Sequence, residues 1–169
     1  MIIALLDDYL NTDFFLATTT APLPSQCVNY QSLTDPSRRF DFIDSAVQGD
    51  SGKAICDEVT GGTSGRPASN DWLGASWYRV EGGVGTQLSE HGFDWVSGTN
   101  DGTCGTHIGS HMIGGHPTLA GATEIRSIYF GLSSSYHSHN HDIEVTNCNG
   151  FFVYNLVGMS FCSMRYCTQ

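Results

Sequence analysis

The chain has 169 residues with 17 acidic against 7 basic side chains, a formal charge of -10, and only 14% of its residues are charged. That length supports one domain with a real hydrophobic core, and without a basic run to track phosphates, nucleic acid and anionic membrane surfaces are poor partners. Abundant Gly, Ser and Thr with few helix formers point to a β-rich extracellular domain of many turns.

The first segment, residues 1–26, differs from the rest. M-I-I-A-L-L-D-D has no basic start and too short an apolar run for a signal peptide or a membrane span, so neither is expected. Ile3, Leu5, Leu10, Phe14 and Leu16 are its apolar side chains of interest. Leu6, Leu10 and Phe14 fit a helical face, whereas Phe14, Leu16, Thr18 and Thr20 alternate as in a strand. The threonines favour the extended form, so a strand available for donation is one reading and a disordered tail is the other. T-T-T-A-P-L-P-S then reads as a linker whose Thr18, Thr19, Thr20 and Ser25 have the composition of an O-glycosylated stalk; an ordinary flexible linker is the other reading.

From Cys27 onward, short apolar runs alternate with turn clusters at 61–67, 97–103 and 133–141. Strands are expected at Ser76–Val80, Ile125–Phe130, Asp142–Val145 and Phe151–Leu156, the last dense in aromatic and β-branched residues. The cysteines at 27, 56, 104, 148, 162 and 167 are even in number and contain no C-x-x-C pair. Disulfides in an oxidising compartment are therefore expected, with connectivity left open by spacing.

Three patterns suggest chemistry. G-D-S-G around Ser51 is the setting of a chymotrypsin-like nucleophile, but all 7 histidines lie at position 91 or beyond and Lys53 replaces the next glycine. The triad order is wrong and too little chain precedes Ser51 for the barrel that should carry the histidine, so a turn is expected and a convergent hydrolase is the remote alternative. His137, His139 and His141 alternate and would share one strand face, a spacing that suits zinc or copper, but their serine-rich setting reads as a solvated loop; no metal or other cofactor is expected. His107, His111 and His116 share no face and read as structural histidines in turns. Asp94 to Asp101 departs from a calcium loop in spacing and reads as a turn.

Eight motifs stand in order: C-V-N-Y-Q-S-L-T-D-P-S-R-R (27–39), I-C-D (55–57), W-Y-R-V-E-G-G-V-G-T (77–86), C-G-T-H (104–107), G-G-H-P (114–117), N-C (147–148), F-F-V-Y-N-L (151–156) and C-x-x-x-Y-C (162–167). Together they resemble the uromodulin-type cysteine-rich extracellular module, over roughly residues 27–168. The family's module usually has four further cysteines, absent here after the W-Y-R segment, near Ser127 to Tyr129, and as a pair near Tyr136 to His141. The resemblance implies that those four pair among themselves, leaving Cys27 with Cys148, Cys56 with Cys162 and Cys104 with Cys167. The N-x-T sequon that can follow Y-N-L in such modules is broken by Val157, and no other asparagine precedes x-Ser or x-Thr, so any glycan is O-linked.

The expected architecture is therefore mainly β: one compact disulfide-stapled module with short helices at most over residues 27–169, preceded by the extended segment 1–26. The expected function is a secreted, non-enzymatic structural or interaction protein that self-associates through its N-terminal segment, with no membrane insertion. The alternative is a carbohydrate-binding module in which Trp72 and Trp95, set among glycines and asparagines, stack on sugars, while Trp77 belongs to the core.

Overall fold

The computed structural model describes residues 22–47, 53–58, 67–91, 102–133, 136–160 and 162–169. Seven strands are found among them: β1 (Gln31–Leu33), β2 (Ser76–Val80), β3 (Ile108–Ile113), β4 (Thr123–Ser133), β5 (Tyr136–Asn147), β6 (Phe152–Leu156) and β7 (Met164–Arg165). They form one sheet in the order β1-β2-β6-β5-β4-β3-β7. The pairs at the two ends, β1 with β2 and β3 with β7, are parallel, and the other pairs are antiparallel. Two short 3-10 turns, Ser25–Cys27 and Pro36–Arg38, precede the second strand. The chain is mainly β, as its turn-rich composition implies.

The centre of the sheet is the β4–β5 ladder, which runs from Thr123 opposite Thr146 to Ser133 opposite Tyr136. Two register shifts interrupt it on either side of Gly131. Alternation sorts its side chains: Ile128, Phe130, Ile143 and Val145 point into the core, while Ile125, Asp142 and Glu144 face solvent. β6 adds Tyr154 and Leu156, β2 adds Tyr78 and Val80, and β3 adds Met112 to the same inner face. Loops and short strands close over it with Leu33, Trp72, Leu88, Met159, Met164 and Tyr166. A smaller cluster lies on the opposite face, where Cys27, Cys148 and Val153 pack with Tyr30, Trp77 and Phe151.

Two expectations change here. Residues 136–141 belong to strand β5 rather than to a solvated loop. Their polar composition is tolerated because an antiparallel sheet can leave one face to water while its backbone is satisfied by the ladder. I-G-S-H-M-I, which sequence reading leaves among the turns, is strand β3. Its Gly109, Ser110 and His111 are buried, held between β4 and β7.

The six cysteines join as Cys27–Cys148, Cys56–Cys162 and Cys104–Cys167, spanning 121, 106 and 63 residues. In the chain-entropy account each closure of that length stabilises the fold by about 4 to 5 kcal/mol. The C-terminus is woven in as well. Thr168 bridges Arg39 on one side and Leu88 on the other, and Gln169 accepts from the backbone N–H of Thr86. Gly85 permits this close approach: at φ +113 a Cβ there would stand 2.1 Å from the Gln169 carbonyl oxygen.

Candidate functional site

Beneath the sheet lies a buried ionic centre built from motifs that flank the cysteines. In D-P-S-R, Asp35 caps the 3-10 turn by accepting from the Ser37 N–H, and proline fills the first position of that turn, where its missing N–H costs nothing. The turn swings Arg38 inward to zero exposure. Its guanidinium donates to both carboxylate oxygens of Asp57 at 2.8 Å, to Asp71 from Nε and Nη2, and to the Tyr166 carbonyl oxygen at 3.1 Å. All five N–H groups of the arginine are thereby used. Asp57 also accepts from the Tyr166 backbone N–H, and Asp71 from those of Thr34 and Asp35.

A second buried arginine stands beside the first. Arg165 donates to Ser69 Oγ, Ser37 Oγ and the Cys104 carbonyl oxygen, and pairs with Asp35 at 2.8 Å. Electrostatics follow from this packing. Desolvation opposes ionisation of Asp71, but the hydrogen bonds and charge of Arg38 outweigh it and hold the carboxyl at about 2. Desolvation likewise opposes the charge on Arg38, and Asp57 with Asp71 reverse it, so its pKa is raised. Arg165 is pushed down, by desolvation first and by the nearby Arg38 second. With its hydrogen-bonding groups directed inward, this centre ties residues 35–38, 57, 69–71, 104 and 165–166 together. Its job is to hold the fold.

A relay of polar groups ties G-G-H-P to F-F-V-Y-N-L. His116 Nδ1 meets the Glu90 carboxylate, and Nε2 lies 2.8 Å from the Tyr154 hydroxyl. Since a carboxylate only accepts, Nδ1 carries the proton in the neutral ring and the Tyr154 O–H donates to Nε2. Tyr154 in turn accepts from the Leu88 N–H. Burial lowers the pKa of His116; Glu90 opposes the shift and Arg126 reinforces it. Burial also lowers His141, helped by His139 and opposed by Asp142, and places its Nε2 2.8 Å from the Tyr166 hydroxyl.

Surface regions lie outside these buried groups. At one end of β2 a cleft of about 480 Å³ is lined by Arg39, Arg79, Glu81, Gly82, Gly83 and Phe151, among others. Both arginines already have carboxylate partners, Asp41 and Glu81, and Arg79 lies over the Phe151 ring at 4.1 Å. Another region is the outer face of β3, β4 and β5. Ile113 and Ile125 are 50% and 67% exposed there, beside Ser127, Asp142 and Glu144. The chain enters the module over this face. Gln26 donates its amide to the Thr146 and Thr123 hydroxyls, and Pro24 is the nearest neighbour of the Gly121 α-carbon's open side.

The sequence-predicted residues fall as follows. Trp72 is not available to a sugar: it is 7% exposed, stacked on Tyr78 with ring centres 5.0 Å apart, and donates its indole N–H to the Glu58 carbonyl oxygen. Its glycine- and asparagine-rich neighbours are a surface turn whose one aromatic residue folds under. Trp77, expected in the core, is partly buried against the Cys27–Cys148 cluster. Trp95, Ser51, Asp94, Asp101, Thr18, Thr19 and Thr20 lie outside the described residues, as do Ile3, Leu5, Leu10, Phe14 and Leu16. Ser25 is exposed in the first 3-10 turn. His137, His139 and His141 all lie on β5, where His139 is exposed and its ring centre is 5.9 Å from that of the half-buried His141. Among the described residues no group of three or more His, Cys, Asp or Glu side chains can hold a metal ion. No helix among them is long and apolar enough to cross a membrane.

Sequence reading missed the ionic centre. Its signal was the placement of Arg38, Asp57 and Arg165 inside cysteine-bearing motifs of a chain with few charges.

Comparison with known proteins agrees with this frame. The chain is 29% identical over 144 residues to the pancreatic secretory granule membrane major glycoprotein GP2 of Canis lupus familiaris, an alignment covering 85% of this chain and 23% of that protein. The chain thus spans about a quarter of that relative's length. The model of the uromodulin-like D8C domain matches residues 78–168, which hold the second cysteine of every disulfide, the three buried tyrosines of the core, Tyr78, Tyr154 and Tyr166, and Arg165. The chain belongs to the uromodulin-like D8C domain family.

Proposed function

We propose that the chain is a non-enzymatic extracellular module with a structural role, and that its N-terminal segment carries self-association. Family membership and three disulfides support an oxidising, extracellular setting. The buried Arg38 with Asp57 and Asp71 supports a structural reading, because every N–H of its guanidinium is taken up by these carboxylates and the Tyr166 carbonyl oxygen. The observation that carries the assembly reading is the apolar density of residues 2–16, which exceeds what a short extension can shelter and calls for a partner surface. If each copy gives this segment to the next, the contact is head-to-tail and builds an open polymer.

Sedimentation velocity of the purified chain over a concentration series tests this. Assembly that grows with concentration and disappears on deletion of residues 1–21 is the expected result. A full-length chain that stays monomeric, or a deletion that leaves assembly unchanged, would sink the proposal.

A further inference from the structure

The edge of the sheet at β3 is covered in two pieces. β7 pairs with β3 only at Ile108 and Gly109. Beyond it, the Met112 N–H donates to the Ser89 carbonyl oxygen at 2.7 Å, so residues 86–90 form a strip that continues the cover. The strip is bound to the C-terminal residues by backbone hydrogen bonds from Ser89 to Cys167 and between Gln87 and Gln169. The Gln169 side chain also accepts from the Glu90 N–H. Without the strip, this edge would present unpaired backbone groups to other chains.

One histidine fastens the strip to the sheet. His116, on the turn that leaves β3, sets Nδ1 on the Glu90 carboxylate of the strip and Nε2 on the Tyr154 hydroxyl of β6, which itself accepts from the Leu88 N–H at 3.1 Å. The imidazole side chain is 7% exposed and packs on the Phe152 ring, with centres 4.3 Å apart; Tyr154 is fully buried. Glu90 and Tyr154 are thus the titratable groups in contact with the ring, and Arg126 of β4 approaches from the third side, donating to the Gly115 carbonyl oxygen. This arrangement is satisfied in one protonation state. With the neutral ring, Nδ1–H donates to Glu90 and the Tyr154 O–H donates to Nε2. A proton on Nε2 reverses the second contact: two N–H groups then point at one tyrosine oxygen, and its buried O–H loses its acceptor, a costly state. The imidazolium keeps its attraction to the carboxylate of Glu90, which is 36% exposed, so the pair moves off Tyr154 together and takes the end of the strip with it. Burial first, with Glu90 opposing and Arg126 reinforcing, holds the proton off the ring until below the ordinary 6.5.

We propose that His116 is an acid-operated latch: neutral, it clamps residues 86–90 over the edge of β3, and on taking up a proton it releases them and uncovers that edge. The β4–β5 ladder and the three disulfides do not pass through this contact, so the opening is local. Acidification then changes which backbone groups the module presents while its inner core stays packed.

Native-state hydrogen exchange of the full chain between pH 7.5 and 5, expressed as protection factors, reads the latch at the Leu88 and Met112 amides. Protection at both is expected to fall about tenfold or more over this interval, as the loss of one buried hydrogen-bond partner requires. The exchange should also show the weak dependence on added denaturant that marks a local opening. In His116→Gln, which takes up no proton, the pH dependence at both amides should vanish; His141→Gln should keep it. In Glu90→Gln the fall should move to lower pH, because the carboxylate that favours the imidazolium is gone. Unchanged protection at Leu88 or Met112 would overturn the latch, as would a pH dependence that H116Q retains. A denaturant dependence equal to that of the β4–β5 ladder would make the event global unfolding and overturn it too. Should H116Q fail to fold, E90Q decides: a fall at the parent's pH refutes the proposal.

Discussion

Arg38 and Arg165 are two of only 7 basic residues in the chain, and both have no measurable exposure. Removing one partner from such a cluster leaves an uncompensated buried charge, which costs far more than an exposed ion pair returns. Arg38→Ala is expected to lower unfolding free energy by about 3 to 5 kcal/mol, read as a shift in the denaturant midpoint. A loss below about 1 kcal/mol would mean that the pairs are solvated. Trp72→Ala carries a similar penalty of about 3 to 5 kcal/mol through the cavity it opens beside Tyr78 and Tyr166. The burial of Trp72 was illegible from its sequence neighbours because it depends on Tyr166, 94 positions away by 166 − 72. The ionic centre was hidden for the same reason: its members come from five separate stretches of chain.

Two histidines and one carboxylate give stability a defined pH response. His116 and His141 have folded pKa values below the ordinary 6.5, through burial first, so the unfolded chain binds more protons in that range. Their contribution is complete above about pH 6.5 and is lost as pH falls through the lower folded values. Asp71, at about 2 against an ordinary 3.8, adds a second loss between those values at stronger acid. The denaturant midpoint should therefore fall between pH 7.5 and 5, and His141→Gln should flatten part of that fall. A midpoint unchanged over this interval would show that both imidazoles protonate freely in the folded state.

At the scale of elements, the long central strands were readable and the short peripheral ones were not. Ile125–Phe130, Asp142–Val145 and the segment at Phe151–Leu156 announce themselves by alternation and aromatic density; the first two lie within β4 and β5, and the third begins one residue before β6. The polar beginning of β5 and the glycine- and histidine-bearing β3 have no such pattern; the ladder with β4 makes them strands. β1 and β7 exist only because β2 and β3 offer them parallel partners. The C-terminal strip depends on a different feature, the absence of a side chain at Gly85. Gly85→Ala would drive a methyl into the Gln169 carbonyl in a backbone conformation that disfavours alanine. The expected cost is about 2 to 4 kcal/mol, with hydrogen exchange speeding first at Thr86 and Gln169. Equal exchange at these amides in both proteins would argue against the packing.

At the scale of the whole molecule, long-range closure dominates. The three disulfides join residues between 63 and 121 positions apart, so the stapling could not be read from local pattern, and the resemblance of motif order carried it instead. What such a closed, committed interior leaves for function is its surface and its extension. The outer sheet face carries exposed Ile113 and Ile125 beside Asp142 and Glu144, and the chain enters the module across it. The central claim is that copies of this module join head-to-tail through that entry segment. Electron microscopy of the purified full-length chain at rising concentration tests it most directly. Unbranched chains of modules that lengthen with concentration are the predicted result; a field of single particles, or of closed two-fold pairs that never extend, would contradict it.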